Sequence, residues 1–151
     1  MTIITTILRE LIKAGHYTPG QSFRIDIPNP PHTSLVIEDI QEQGPNGYPV
    51  ISVTQYREPK KRDPEMCFEI YSCEGTIILD PFYWCNDLSG IEEYSRRLQN
   101  GAPIIRCDTH LEHHNSAALW NRTLESQGFF AAFSKTLKQE APAKSPFRRP
   151  I

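Results

Sequence analysis

The sequence predicts an α+β fold: an antiparallel sheet of about five strands, with an N-terminal helix and C-terminal helices packed on one face. Three observations carry this. Apolar residues recur at helical spacing over the first dozen positions, alternate at strand spacing from Phe23 to Tyr83, and return to helical spacing after Asp87. The turns between most of the alternating runs are short, whereas a parallel crossover needs a dozen residues or more, so neighbouring strands should run antiparallel. The length of 151 residues suits one domain. Residues 1–139 read as a single α+β domain and 140–151 as a disordered, basic, Pro-rich tail.

Ile3, Ile4, Ile7, Leu8, Leu11 and Ile12 form one stripe of a helix from about Thr2 to Ala14, which Gly15 terminates. Phe23, Ile25 and Ile27 alternate with Arg24 and Asp26 in a strand ended by Pro28-Asn29-Pro30-Pro31. Leu35–Ile40 is the second strand, and Gly44-Pro45-Asn46-Gly47 is a turn. Val50–Tyr56, Met66–Ser72 and Thr76–Tyr83 complete the five. Asp87 or Ser89 caps an expected helix through Glu92, Tyr94 and Leu98, closed by Asn100-Gly101. A longer helix runs from about Asp108 to Gln127, and Gly128 separates it from a last segment holding Phe129, Phe130, Phe133 and Leu137.

Hydrophobic residues make up only 38% of the chain and prolines number 13, so much of it should be loop. No apolar run is long enough to span a bilayer, and the N-terminal stripe is broken by Arg9, Glu10 and Lys13, unlike an export signal. A cytoplasmic location is the expectation, and with it free thiols at Cys67, Cys73, Cys85 and Cys107. The net charge of −2 argues against nucleic acid as the main partner. The basic loop Arg57–Arg62, with Lys60 and Lys61, and the basic residues after Phe133 keep it as an alternative.

The fourth and fifth strands mix carboxylates, thiols and aromatics. On the fourth, Met66, Phe68 and Ile70 point to a core, and Glu65, Cys67, Glu69, Tyr71 and Cys73 point away. Strict alternation on the fifth puts Ile78, Asp80, Phe82 and Trp84 together, so one face should gather Glu65, Glu69, Tyr71, Asp80 and Trp84. Such a cluster can hold a hard cation, act as an acid/base pair or meet the basic loop, although antiparallel sheets commonly turn one face to solvent without further purpose. Pro64 restrains Asp63 at a strand entrance, with Arg57, Lys60 or Arg62 as counter-charge. Aromatics amid charge are the composition of interface hot spots, which makes Asp63, Glu65, Glu69, Tyr83, Trp84 and Asp87 the candidate binding residues for a protein partner.

Cys107-Asp108-Thr109-His110-Leu111-Glu112-His113-His114 is the most metal-like string, with Cys107, His110 and His113 or His114 a turn apart on a helix. Its ligand set is incomplete and the His-Glu-x-x-His signature is missing, so neither metal nor cofactor is expected. No Gly-rich phosphate loop, Gly-x-Ser-x-Gly or Cys-x-x-Cys is present, and no catalytic residue is assigned.

Ile51–Tyr56, Arg62–Glu69 and Tyr83–Gly90 resemble an uncharacterised bacterial family of small proteins, classed as a domain of unknown function and often encoded on plasmids and other mobile elements. In the family pattern a His-Tyr pair precedes a longer polar loop; here Gln55 stands for the histidine and Arg57–Arg62 for the loop. The resemblance implies binding rather than catalysis: a non-enzymatic accessory protein of a mobile genetic element that binds a macromolecule, such as an inhibitor of a host defence complex. A small metal-dependent enzyme using the carboxylate face or the Cys/His string is the alternative, and a nucleic-acid-binding protein ranks third.

Overall fold

The structure, a computed structural model, describes residues 1–58 and 60–148, with side chains from 140 onward outside the description. The first helix, α1 (Thr2–Lys13), buries Ile3, Ile4, Ile7, Leu8 and Leu11 along one stripe. Removing each such side chain from water is worth about 1.5–3 kcal/mol, more than helix propensity contributes. Gly15 ends it at φ +77°, a conformation that a side chain disfavours.

Six strands follow as an antiparallel meander: β1 (Phe23–Asn29), β2 (His32–Gln43), β3 (Pro49–Tyr56), β4 (Arg62–Cys73), β5 (Thr76–Asn86) and β6 (Ile91–Tyr94). A separate two-stranded hairpin, β7 (Arg96–Gln99) and β8 (Ala102–Ile105), leads to α2 (Cys107–Ser126) and α3 (Phe129–Arg148). The expected tail, 140–151, falls on the end of α3 and on residues outside the description. No helix among the described residues is long and apolar enough to cross a membrane.

The main core lies between one face of the sheet and the three helices. Ile25, Ile27, Leu35, Ile37, Ile51, Val53, Met66, Phe68 and Ile70 meet the stripe of α1, Trp120 and Leu124 of α2, and Phe129 and Phe133 of α3. Trp120 also donates its Nε1–H to Gln55 Oε1 at 2.8 Å, while Gln55 Nε2 donates to the Thr33 carbonyl. The position that the resemblance marks as a histidine is therefore a buried polar link between sheet and helix.

The helix expected from Asp87 to Gly101 is strand instead. Ile91, Tyr94 and Leu98 do fall at helical spacing, but all three are exposed on β6 and β7. A helical stripe forms a helix only when a packed surface waits behind it, and here none does.

Candidate functional site

The sheet face opposite the helices holds a second, smaller cluster and a dense polar network. Val50, Cys67, Phe82, Tyr83 and Cys85 pack there with Ile40. Two irregularities decide which side chains reach it. Between Cys67↔Tyr83 and Phe68↔Pro81, β5 carries one extra residue, Phe82. That bulge reverses the alternation beyond it, so Tyr83 and Cys85 join Cys67 on the open face, while Trp84 packs against the helix-side core. The expected gathering of Trp84 with Glu65 and Glu69 is corrected accordingly. A second irregularity, between Thr54↔Glu65 and Tyr56↔Arg62, inserts an extra residue on β4 around Pro64 and separates Asp63 from Arg62.

Arg62 organises the open face. Its Nε and Nη2 donate to the two carboxylate oxygens of Asp87, each at 3.0 Å, and its Nη1 donates to Glu65 Oε1 at 2.9 Å. The fork matches a carboxylate at both ends, which raises the Arg62 pKa and holds the Asp87 carboxyl well below the usual carboxylate range. Glu65 Oε2 accepts from Ser52 Oγ at 2.5 Å, and Tyr83 donates its hydroxyl to Glu92 at 2.6 Å. Burial, reinforced by that bond, raises the Tyr83 pKa. Burial likewise pushes up the thiols of Cys67 and Cys85, so neither is poised as a thiolate nucleophile.

The other candidates go elsewhere. Glu69 is buried beneath the face: its Oε2 accepts from the backbone N–H groups of Asn46 and Tyr48, and its Oε1 accepts from Arg96 Nη1. Gly44 is required over it, because any Cβ there would collide with the Glu69 side chain. Asp63 pairs with Arg57 Nε at 2.9 Å and accepts from Asn86 Nδ2, which fulfils the expected counter-charge. The structure thus unites Glu65, Tyr83 and Asp87 around Arg62, and places Asp63, Glu69 and Trp84 in separate surroundings. Sequence reasoning offered Arg62 as a counter-charge for Asp63 rather than for Asp87 and Glu65, and it did not count Ser52, Glu92 and Tyr94 among the site residues; the Arg62–Asp87 pairing crosses 25 residues, and no local spacing signals it.

Beside this network lies a pocket of about 380 Å³ between the β2–β3 turn and β7. Val50, Cys67, Phe82 and Tyr83 contribute its apolar lining, with Glu42, Tyr94, Arg97 and Leu98 exposed along it. Tyr83 and Tyr94 are cross-strand neighbours with ring centroids 4.8 Å apart.

The Cys107, His110 and His113 trio does not converge. Cys107 is exposed, and His113 is buried with Nε2 3.2 Å from Glu93 Oε1. His110 meets His114 instead.

A family model described as a domain of unknown function (DUF6908) matches residues 3–130. The chain belongs to this family. The match runs from α1 to the start of α3 and includes every strand, so the open face and its pocket are parts of the family domain. Nothing among curated proteins or solved structures matches the chain.

Proposed function

We propose that this member of the family is a non-enzymatic binding module that takes a segment of a partner protein along β6 and into the adjoining pocket. One observation carries the reading. Of the ten large hydrophobics exposed among the described residues, five (Leu88, Ile91, Tyr94, Leu98 and Ile105) fall within 88–105, around the last strand of the main sheet and the hairpin after it. Of these, Tyr94 and Leu98 border the pocket, and exposed apolar side chains beside a pocket are a mark of a contact surface. A terminal strand can also accept a further strand through its backbone.

The charge beside the pocket is mixed: Glu42 and Arg97 are exposed along it, Glu92 stands on β6, and Glu65 and Arg96 are already matched by Arg62 and Glu69. An extended peptide that lays an aliphatic side chain in the pocket, with polar or charged neighbours of either sign, fits that chemistry. Arg62, counted in the basic loop, is turned onto Asp87 and Glu65, which weakens the nucleic-acid reading. The wider setting, an accessory protein of a mobile genetic element that inhibits a host defence complex, is supported by the resemblance of the central segments alone.

A photo-crosslinking amino acid at Leu98, compared with one at Leu119 on α2, tests this reading in cells. Leu98 should trap one dominant protein that Leu119 does not, and Tyr94→Ala should lower its affinity for the purified module at least tenfold. Identical crosslinking profiles at the two positions, or unchanged affinity in a folded Tyr94→Ala protein, would overturn it.

A further inference from the structure

At the stretch of β5 that β6 leaves uncovered, away from the Arg62 network, three ligand-type atoms converge where the start of α2 meets Asp80. His110 Nε2 lies 3.2 Å from His114 Nε2 and 3.5 Å from Asp80 Oδ1, and His114 Nε2 lies 3.8 Å from the same oxygen. We propose that Asp80, His110 and His114 bind one divalent transition-metal ion of the zinc class, with a coordination position open to solvent.

Geometry is the first support. A circle through three points with those separations has a radius of about 2.0 Å, which is the length of a zinc bond to imidazole nitrogen or carboxylate oxygen. One ion can therefore reach all three atoms, and a slight contraction of the triangle would lift it toward a tetrahedral position. The two histidines are four residues apart on α2, so they share one helix face. Asp80 lies on the stretch of β5 that β6 does not cover, since that pairing begins at Tyr83.

The surroundings orient the ligands. Ser95 Oγ is 3.3 Å from His110 Nδ1, which fixes the imidazole with Nε2 toward the site. Arg96 Nη2 is 3.4 Å from Asp80 Oδ2, leaving Oδ1 for the histidines. The Arg96 charge is itself answered by Glu69. A partner behind each ligand, the Ser95 hydroxyl for His110 and the Arg96 charge for Asp80, is the usual support of a metal ligand.

Ligand chemistry selects the ion. Two imidazoles and one carboxylate suit zinc, nickel, cobalt or copper, whereas magnesium and calcium want oxygen. Asp80 and His110 are partly exposed and His114 is half-exposed, so the site is open to solvent and a water can complete the shell. A single proton shared by the two histidines would also explain their 3.2 Å approach, and the experiment separates the two accounts.

Untagged, chelator-treated full-length protein is titrated with zinc chloride by calorimetry, and with cobalt chloride while visible absorption is followed. Saturable binding near one ion per chain is expected, with a cobalt spectrum of low coordination number and a rise in thermal midpoint as zinc increases. Asp80→Asn and His114→Gln should each weaken binding at least tenfold, while His32→Gln, exposed on β2, changes nothing. His114 is half-exposed, so that variant should still fold, and circular dichroism without metal checks it. No saturable uptake by the wild-type protein, or full affinity in a folded His114→Gln variant, would overturn the proposal in favour of the shared proton.

Discussion

Arg96 Nη1 sits 2.6 Å from Glu69 Oε1, joining two side chains that are 7% and 1% exposed across 27 residues of chain. The pair connects the hairpin after the sheet to β4, and through Glu69 to the turn between β2 and β3. Arg96 completes the arrangement by donating to the carbonyls of Asp80 and Pro81.

Removing one partner of such a pair strands the other charge. Arg96→Met should therefore lower unfolding free energy by about 3–5 kcal/mol, whereas an exposed pair such as Arg24–Asp26 should yield about 0–1 kcal/mol. Urea denaturation of Arg96→Met and Arg24→Met checks both values. Equal, small losses would show that the buried pair adds little.

Gly44→Ala should destabilise the protein by about 1–3 kcal/mol, because the added methyl displaces Glu69 from its turn contacts. Gly47→Ala in the same turn meets nothing and bears only the strain of its φ of +86°. Comparing their denaturation midpoints separates collision from backbone strain, and the collision should cost more.

Acid should loosen the open face. The folded Asp87 carboxyl titrates below its unfolded counterpart, so its contribution is complete above the ordinary carboxylate pKa and is lost as pH falls through the depressed folded value. Arg62 is the main cause, with Glu65, Tyr83 and Cys85 as neighbours. Asp87→Asn should flatten the decline of stability below about pH 4. A variant whose stability falls as steeply as the wild type through that window would contradict this assignment.

Trp84 and Tyr94 should separate folding from recognition. Trp84 packs against the helix-side core, so Trp84→Ala should lose about 2 kcal/mol or more of stability. Exposed Tyr94 should lose much less on truncation to alanine and should lose partner binding instead. Thermal melts beside binding measurements test the division, and the opposite pattern would return Trp84 to the recognition surface.

Periodicity made the first helix, the first five strands and the start of α2 readable, because in each a buried face repeats at the spacing of its element. It misled from Ile91 to Leu98, where the repeating residues are exposed and the periodicity reports no burial. It also missed the Phe82 bulge, since one inserted residue leaves composition unchanged and exchanges the faces of every later side chain. Asp63, Glu69 and Trp84 looked equivalent to Glu65, Tyr83 and Asp87 because sequence shows type and parity but not partners. Arg62 and Arg96, which sort those carboxylates, lie 25 and 27 residues from Asp87 and Glu69. The pairing of His114 with Asp80 is hidden for the same reason.

The meander also sets a timetable for synthesis. Each strand hydrogen-bonds to the one made just before it, so the sheet can zip together as it leaves the ribosome. Its hydrophobic side must wait, because Trp120, Leu124, Phe129 and Phe133 are among the later residues to emerge. Until then only α1 shields Met66, Phe68 and Ile70, and a ribosome stalled after β8 would hold a paired sheet with a bare apolar flank. Such a nascent chain would present the kind of apolar surface that chaperones bind, and the C-terminal helices cover it in the finished protein.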